Sequence, residues 1–381
     1  MRDRSEKNER KGMIVLVGIP CLLTGGTEIQ TLSLVEALVA AGHRPVVACY
    51  FEWSEGMVKR YERAGAVVVL LSRDGCRCVG VKNTLIHLWK GLRSVVGKYR
   101  PDVAHVQYMA PGALPILVLK LLGVNKILAT AHTAADIYPS LRQIHWLVRH
   151  VLVAFQCITL KAEVSFFGTG VLFGPDFKLR KRGNHFTIYN NLPSYISPAA
   201  GGRTSVAVTI GVVSRLERIK GMDLVVPAFA RIYDKYPQVR LLIVGDGSLR
   251  GSMERQAAEA HLPAGTIEFA GRQPQDALAA CYDRTDILLM PSRSEGFGLT
   301  AIEGMARGCV PVVAGVGGLP EVVHDGVCGL VHLPENVEDI AAKIEQAMGD
   351  FRRLSAAALV RARDFSREQY QRNIAGLYSK I

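Results

Sequence analysis

The sequence lacks any apolar run long enough to cross a membrane. The two longest apolar segments, 113–124 and 146–160, are interrupted by Lys, Arg and His residues and are shorter than the ~20 residues that a transmembrane helix needs. The first eleven residues are polar and charged, and the apolar stretch that follows them, 13–17, is too short for the core of a signal peptide. We therefore expect a cytoplasmic protein that is soluble or peripheral on the cytoplasmic face of a membrane.

Motifs that would hold a metal ion or a dinucleotide are also missing. The eight cysteines are scattered and none forms a CxxC pair, so neither a zinc site nor a disulfide framework is predicted. No DxD-like pair of acidic residues stands at the end of a predicted strand, so we expect no essential metal and no cofactor. The best match to a GxGxxG fingerprint starts at Gly245 but has Arg250 in place of the third glycine, so a dinucleotide site is not expected.

Basic residues, in contrast, are abundant. The chain has 46 Lys and Arg residues against 34 Asp and Glu residues, which gives a net charge of +12. Clusters at 73–100 and 178–182 lie in the first half of the chain. A solvated surface is the simplest explanation, and attraction to anionic lipid headgroups or phosphorylated substrates is the alternative. Because no nucleic-acid-binding module is recognisable, we favour contact with an anionic membrane surface and expect no nucleic-acid partner.

Short apolar runs alternate with helical patterns along most of the chain. In the first half, the apolar runs predict strands at 13–19, 45–50, 67–71, 103–107, 126–131, 157–160 and 186–189. Helical periodicity predicts helices at 28–41, 81–98, 113–122 and 142–153. The alternation resumes at 207, and residues 351–378 are predicted to be helical. A repeated β-α pattern of this kind predicts an α/β fold whose parallel sheets are covered by helices on both faces.

A change in composition divides the chain into two parts. Residues 194–205 include Pro198, Gly201 and Gly202, which is typical of a linker. We therefore predict a first domain over residues 1–197, a second domain over 198–355 and a C-terminal helix over 356–381, which would cross back to the first domain. A chain of 381 residues is long enough for two domains that each bury a full core.

The most informative stretch is a glycine-rich loop between a predicted strand and a predicted helix. Gly296 and Gly298 bracket Phe297, and the helical pattern starts at Leu299. Open α/β sheets bind ligands at such places, beyond the carboxyl ends of their strands. The N–H groups at the start of a helix suit a phosphate. The loop is therefore a candidate phosphate-binding site.

Two carboxylates frame this loop. Glu295 stands before the helix, where the helix dipole alone would favour an acidic residue. Glu303 stands within the helix, between Ile302 and Met305. A solvated helix face is the simplest explanation for Glu303, but a carboxylate in apolar surroundings usually has a polar partner. A sugar ring with two adjacent hydroxyl groups would be a suitable partner.

These motifs resemble those of the retaining glycosyltransferases of family 4. The resemblance rests on Glu295-x7-Glu303 within Pro-Ser-x-x-Glu-Gly-Phe-Gly, on Gly-Cys-Val-Pro-Val-Val at 308–313 and on Gly-Gly-Leu-Pro-Glu at 317–321. It implies the GT-B fold, in which two doubly wound, Rossmann-like domains face each other across a cleft. It also implies transfer of a hexose-type sugar, with retention of anomeric configuration, from a nucleotide-sugar donor that is UDP- or GDP-linked.

The resemblance implies a donor site in the second domain. Arg215 and Lys220, in the spacing Arg-x4-Lys-Gly, match the family's diphosphate site, where their charges would stabilise the leaving diphosphate. Solvated surface cations are the simpler explanation for both residues. Backbone N–H groups from Gly296 to Leu299 would bind the same diphosphate.

Three further side chains are assigned to the donor by the resemblance. Glu303 would accept hydrogen bonds from the ribose, and Glu295 would contact hydroxyl groups of the transferred sugar. Arg272 follows a predicted strand and is a candidate near the nucleobase.

Two features of the first domain match the family at the acceptor side of the cleft. Gly25 and Gly26 lie between a strand and a helix, where a tight turn is the simpler explanation, and in similar enzymes this loop faces the donor phosphate or the acceptor. His132 ends a predicted strand, and in similar enzymes a histidine there hydrogen-bonds the transferred sugar. Asp136 is a weaker candidate. The predicted catalytic set is thus Glu295, His132, Arg215 and Lys220.

The sequence leaves open the identity of the acceptor and two alternatives to the transferase function. The basic first half and the lack of a membrane span favour a glycan or lipid-linked acceptor, in the synthesis of a cell-surface polysaccharide or glycolipid. A UDP-sugar 2-epimerase shares this architecture, but the combination of Arg215 and Lys220 with the two glutamates favours a transferase. A non-catalytic scaffold of GT-B ancestry is the alternative outside enzymes, and the presence of every expected site residue counts against it.

Overall fold

The computed structural model describes residues 12–108, 113–132, 151–161, 185–201, 203 and 209–381. Two groups of strands are found there, one in each half of the chain. The strands of the first half are β1 (Ile14–Ile19), β2 (Arg44–Cys49), β3 (Val67–Leu70), β4 (Val103–Tyr108), β5 (Ile127–Ala131), β6 (Ala154–Cys157) and β7 (His185–Thr187). Those of the second half are β8 (Thr209–Val213), β9 (Arg240–Val244), β10 (Ile267–Gly271), β11 (Ile287–Met290), β12 (Val310–Ala314) and β13 (Leu330–His332).

Helices connect most of these strands. In the first half they are α1 (Gly26–Ala40), α2 (Glu55–Arg63), α3 (Val81–Tyr99) and α4 (Ala113–Leu121). In the second half they are α5 (Val225–Lys235), α6 (Arg250–Glu259), α7 (Leu278–Asp283), α8 (Leu299–Ala306), α9 (Leu319–Val322), α10 (Val337–Gly349), α11 (Phe351–Ala362) and α12 (Arg367–Tyr378). None of the helices in the described ranges combines the length and the apolar character that a membrane span requires.

Each half of the chain forms one parallel sheet. The first has the strand order β3-β2-β1-β4-β5-β6-β7 and the second has the order β10-β9-β8-β11-β12-β13. In both sheets the order reverses beside the first strand, between β1 and β4 and between β8 and β11. Ligands of open α/β sheets bind beyond the carboxyl ends of the strands at this reversal. The loops after β1, β8 and β11 therefore lie at the two places where a site is expected.

Both faces of each sheet are buried, which explains the continuous apolar runs. In β1, Val15 and Val17 pack on one face with residues of α1 and α12. Leu16, between them, packs on the other face with residues of α3 and α4, because successive side chains of a strand point to opposite faces. Burying a side chain of this size contributes about 1.5–3 kcal/mol. The two-domain, doubly wound α/β fold predicted from the sequence is thus confirmed.

The last helix packs against the first half of the chain. Ile374 and Leu377 of α12 are buried with residues of α1 and β1, and Arg367 forms a 2.8 Å ion pair with Glu36 of α1. Helix α11, just before it, instead contacts α8 in the second half. The C-terminal segment thus contacts both halves, while the domain boundaries at 197/198 and 355/356 stay predictions.

The structure corrects three details of the predicted elements. The stretch 351–378 is helical but is interrupted at Arg363–Phe365, after which Ser366 Oγ accepts a hydrogen bond from Gln369 N and starts α12. The strand predicted at 157–160 lies three residues earlier because Leu128 of β5 pairs with Ala154. The sequence patterns do not predict α2, whose buried face consists of only two side chains. The helix predicted at 142–153 lies almost entirely outside the described residues.

A buried histidine links α12 to the centre of the first sheet. His105 of β4 is fully buried, with Nδ1 2.8 Å from the Tyr378 hydroxyl and Nε2 2.7 Å from Thr130 Oγ1. Burial lowers the pKa of His105 to about 3, whereas a histidine in an unfolded chain has a pKa of about 6.5. As the pH falls below 6.5, this histidine becomes protonated in the unfolded chain, whereas in the folded protein it stays neutral down to about pH 3. Stability therefore falls between pH 6.5 and pH 3.

We expect His105 to account for a loss of roughly 2 kcal/mol of unfolding free energy between pH 7 and pH 5. The variant His105→Gln should show a flatter dependence of stability on pH, measured by urea unfolding at pH 7, 6 and 5. His261→Asn, at an exposed position with φ of 52°, is the control and should keep the wild-type slope. Equal slopes in wild type and His105→Gln would contradict the assignment.

Truncating the apolar face of α12 should destabilise the whole first half. Ile374→Ala removes a fully buried side chain and should lower the unfolding free energy by roughly 2–5 kcal/mol in urea denaturation. Arg372→Ala, on the exposed face of the same helix, should change it by no more than about 0.5 kcal/mol. If Ile374→Ala unfolds only α12 and leaves the main transition unchanged, the helix is a detachable segment.

Candidate functional site

Loops that follow strands of the two sheets approach each other so closely that their backbones are in contact. A Cβ added at Gly296, in the loop after β11, would lie 2.5 Å from the carbonyl oxygen of His132, which follows β5. A Cβ added at Gly26, at the start of α1, would lie 3.2 Å from Leu299 Cδ1 at the start of α8. Any side chain at position 296 would force the two backbones apart. The structure therefore brings Gly26, His132, Gly296 and Leu299 together.

Helix α8 begins directly after this contact. Gly298 precedes it with φ of 101°, a left-handed conformation that glycine adopts without steric cost. The turn at Gly298 places Leu299 and Thr300 in the first turn of the helix, where N–H groups lack helical partners. Such a helix start is suited to an anion. Phe297, in contrast, is buried against Phe365 and Tyr189, so only its backbone is available to a ligand.

A cation and a carboxylate form an ion pair beside this helix start. Lys220 Nζ lies 2.7 Å from Glu295 Oε2, and both side chains are partly buried. Lys220 follows β8 and Glu295 follows β11, the two strands that flank the reversal of the second sheet. Two residues for which the resemblance implies different contacts, one with diphosphate and one with sugar, are therefore within hydrogen-bond distance of each other.

The two other predicted cations lie apart from this pair. Arg215 and Arg272 are exposed, and neither forms an ion pair within the described ranges. The charge of Arg215 acts on Glu217, whose pKa is lowered mainly by hydrogen bonds from Ser248 and only slightly by Arg215. Both arginines are available to a ligand, but the contacts of the protein itself do not hold them at the site.

An arginine that the sequence patterns do not single out braces the loop. Arg293 donates two hydrogen bonds to Asp223, at 2.7 and 2.8 Å, and one to Glu335, at 2.7 Å. Its backbone N–H also donates to the carbonyl oxygen of Ile219, next to Lys220. A bidentate arginine–carboxylate pair restricts geometry as well as adding energy. Arg293 thus fixes the Lys220 segment against the loop that carries Glu295.

Glu303 is buried with two tyrosines as its partners. Glu303 is only 4% exposed. Its carboxylate accepts hydrogen bonds from the hydroxyls of Tyr195, at 2.7 Å, and Tyr282, at 2.5 Å. Burial raises the pKa of Glu303, and the two hydroxyl donors counteract part of that rise. A carboxylate has about four acceptor positions, so two remain for a ligand. The sequence predicts a partner for this carboxylate but not these tyrosines.

His132 lies at the end of β5 next to a buried amide. Its Nε2 is 2.9 Å from Gln107 Oε1 on the neighbouring strand β4. Burial lowers the pKa of His132 to about 4, so the imidazole is neutral at pH 7 and has one nitrogen free to accept. Gln107 Nε2 is buried without a hydrogen-bond partner in the part of the chain that the structure describes. Gln107 is therefore a site candidate that the sequence patterns do not reveal.

A second contact joins the two halves of the chain. The carboxylate of Glu321, in the Gly-Gly-Leu-Pro-Glu motif, accepts hydrogen bonds from the backbone N–H groups of Leu160, at 2.7 Å, and Lys161, at 2.5 Å. Burial raises the pKa of Glu321. This motif therefore fixes the end of the segment after β6 rather than facing solvent.

Three predicted features cannot be placed as contacts of the site. A Cβ added at Gly25 would lie 2.4 Å from a carboxylate oxygen of Glu28, so the glycine makes room for its own helix rather than for the opposite half. Asp136 and the basic cluster at 178–182 lie outside the described residues.

The chain matches two protein-family models. Residues 24–160 match Glycosyltransferase Family 4, and residues 202–359 match Glycosyl transferases group 1. Together the matches span the chain from 24 to 359 except for 161–201.

Curated relatives align with part of their length. A D-inositol 3-phosphate glycosyltransferase of Corynebacterium aurimucosum is 34% identical over 165 residues, which are 41% of this chain and 39% of that protein. The sulfoquinovosyl transferase SQD2 of Arabidopsis thaliana is 25% identical over 283 residues, which are 68% of this chain and 52% of that protein. The alignments thus span about two fifths to one half of these relatives.

Solved structures match over almost the whole chain. Alr3699/HepE of Anabaena in complex with UDP and glucose superposes with a TM-score of 0.77 at 18% identity, covering 97% of this chain and all of that one. A glycosyltransferase from Rickettsia africae gives 0.76 at 19% identity, covering 97% and 98%. Likenesses at this identity establish the fold. With two sheets of this topology and both halves matched by models of one family, the chain belongs to the group 1 glycosyltransferases of family 4 and has the GT-B fold.

Proposed function

We propose that this protein is a retaining hexosyltransferase that uses a UDP- or GDP-linked sugar. The observation that carries the proposal is the Lys220–Glu295 ion pair at the start of α8. A diphosphate at the helix N-terminus would compete for Lys220, and Glu295 would then be free to accept hydrogen bonds from the hydroxyls of the sugar. One site would thus bind both halves of the donor.

The same cations would stabilise the transition state. The bond between the anomeric carbon and the diphosphate breaks, and negative charge develops on the leaving group. Lys220 and the N–H groups from Gly296 to Leu299 would supply fixed positive charge, which is most effective where charge develops during the reaction. Arg215 would add its charge when the diphosphate binds. No metal ion is needed for this role, and the protein is proposed to be metal-independent.

Glu303 would hold the ribose of the donor. Its carboxylate keeps two acceptor positions beyond those taken by Tyr195 and Tyr282, which matches the two adjacent hydroxyls of a ribose. Arg272, exposed after β10, would lie near the nucleobase. The similar Anabaena structure is a complex with UDP and glucose. This likeness favours UDP among the possible nucleotides.

The acceptor would bind against the first half of the chain. His132, neutral and hydrogen-bonded to Gln107 Oε1, can accept from a hydroxyl group of the transferred sugar or of the acceptor. Gln107 Nε2, which has no partner among the described residues, can donate to another oxygen. Gly26, which lies against Leu299 at the start of α8, would bring backbone close to the donor phosphate or to the acceptor. The excess of basic residues favours a glycan or lipid-linked acceptor, in cell-surface polysaccharide or glycolipid synthesis, handled on the cytoplasmic face of a membrane.

Donor binding should depend on Glu303 and turnover on Lys220. A ligand at about 100 times its Kd adds roughly 2.7 kcal/mol of stability, so one of UDP, GDP or ADP should raise the Tm of the wild type. The shift should be lost in Glu303→Ala and reduced in Glu303→Gln, which keeps an acceptor for the tyrosines. Lys220→Ala should lower kcat/KM for nucleotide release by roughly 10²–10³.

Lys235→Ala is the matched control for Lys220. Lys235 also forms an ion pair, at 2.9 Å with Glu345, but on the exposed surface, so its loss should leave kcat/KM unchanged. NMR spectra of the product should show that the transferred sugar keeps the anomeric configuration that it has in the donor. Conversion of a UDP-sugar at C2 without an acceptor would favour the epimerase, and no shift with any nucleotide would favour the scaffold.

The tyrosine partners of Glu303 should matter only when the ligand has ribose hydroxyls. Tyr282→Phe keeps the packing but removes one hydrogen bond to the carboxylate, which is worth roughly 1.5–3 kcal/mol when one group is charged. We expect UDP to bind at least 5-fold more weakly and 2′,3′-dideoxy-UDP to bind unchanged, measured by calorimetry. Tyr233→Phe is the control, because Tyr233 packs on Phe229 away from the site. Equal losses for both ligands would mean that Tyr282 acts only through stability.

A further inference from the structure

Helix α3 carries apolar side chains on its outer face as well as on its inner face. Leu88, Leu92 and Val95 are buried in the core of the first half, which anchors the helix. Beside this buried stripe, toward solvent, Leu85 is 41% exposed and Trp89 is 36% exposed. The exposed parts of these two side chains are not covered by the residues that the structure describes.

The exposed apolar residues continue around the helix and before it. Ile86 is 45% exposed and Val81 is 71% exposed, and Val79, just before the helix, is 86% exposed. Single exposed apolar residues are ordinary on protein surfaces, but a contiguous group is a sign of an interaction surface.

Every charged side chain of α3 is a cation. The helix contains Lys82, Lys90, Arg93 and Lys98 and no acidic residue. At 3.6 residues per turn, Leu85, Trp89, Lys82, Arg93, Ile86 and Lys90 fall, in that angular order, within an arc of roughly 140°. Cations and apolar residues are thus mixed on one face. We call these six residues the outer face of α3.

This mixture matches a lipid surface better than a protein partner. A helix that lies in a membrane interface combines bulky apolar residues, including Trp, with Lys and Arg that contact anionic headgroups. Each cation near such a surface contributes about 1 kcal/mol. The cores of protein interfaces, in contrast, are depleted of lysine, whereas lysines here lie among the apolar residues.

We propose that the outer face of α3 binds the surface of an anionic bilayer, with Leu85, Ile86 and Trp89 below the headgroups and Lys82, Lys90 and Arg93 at the phosphates. The helix begins after β3, on the side of the sheet where the strands end and where the cleft lies. Its role in presenting a lipid-linked acceptor rests on the proposed function, but the binding itself does not.

The test uses the full chain and vesicles of phosphatidylcholine with or without 30% phosphatidylglycerol. We expect flotation with the anionic vesicles, weakened by 0.5 M salt, and little with the neutral ones. Changing Lys82, Lys90 and Arg93 to Gln should weaken binding at least 10-fold. Leu85→Gln with Ile86→Gln should do so as well, and brominated lipid should quench the fluorescence of wild type more than that of Trp89→Phe.

A control of equal charge separates the helix from net charge. Lys235, Arg255 and Arg363 are exposed outside the first half, and changing all three to Gln should leave vesicle binding nearly unchanged. If the two triple variants lose affinity equally, or if no vesicle binds the wild type, the proposal is wrong, and the latter result would favour a protein partner. Nucleotide affinity of the α3 variants should stay at the wild-type value, so failure of the donor site would be seen separately.

Discussion

The loop between β11 and α8 is held at backbone contact from several sides, and the geometry of the cleft depends on this constraint. A Cβ at Gly317 would lie 1.7 Å from the carbonyl oxygen of Glu295, and one at Gly296 would lie 2.5 Å from that of His132. Because no side chain separates these segments, peptide groups set the spacing between them. The carboxylate of Glu295 and the start of α8 therefore have defined positions relative to both sheets.

The partly buried charges of this framework have polar partners before any ligand binds. Lys220 pairs with Glu295, Arg293 pairs with Asp223 and Glu335, and two hydroxyls donate hydrogen bonds to the buried carboxylate of Glu303. A partly buried charge without a partner would be costly. A ligand that binds Lys220 must therefore replace its ion pair with Glu295, whereas Arg215, Arg272 and the remaining acceptor positions of Glu303 are already available. This combination favours a molecule that carries both anionic and hydroxyl groups.

Much of the fold and part of the site could be predicted from local pattern. Apolar runs of strand length separated by amphipathic stretches indicate parallel sheets, and the spacing of Glu295 and Glu303 indicates the loop. Helix α2 was not predicted, because only Met57 and Tyr61 form its buried apolar face and two residues are too few to show a helical period. The sequence patterns do not identify Arg293, Tyr195 and Gln107 as site residues, because arginine, tyrosine and glutamine occur throughout the chain. Only the residues that they contact across the fold distinguish these three.

The sequence by itself determined the order of strands and helices, the division into two sheets and the position of the glycine-rich loop, because these follow from hydrophobic period and backbone freedom over neighbouring residues. The tertiary structure alone decided which charges meet. Lys220 and Glu295 are 75 residues apart in the chain, and Tyr195 and Glu303 are 108 apart. Contacts over such separations are set by how strand ends and loops converge, which no local pattern encodes.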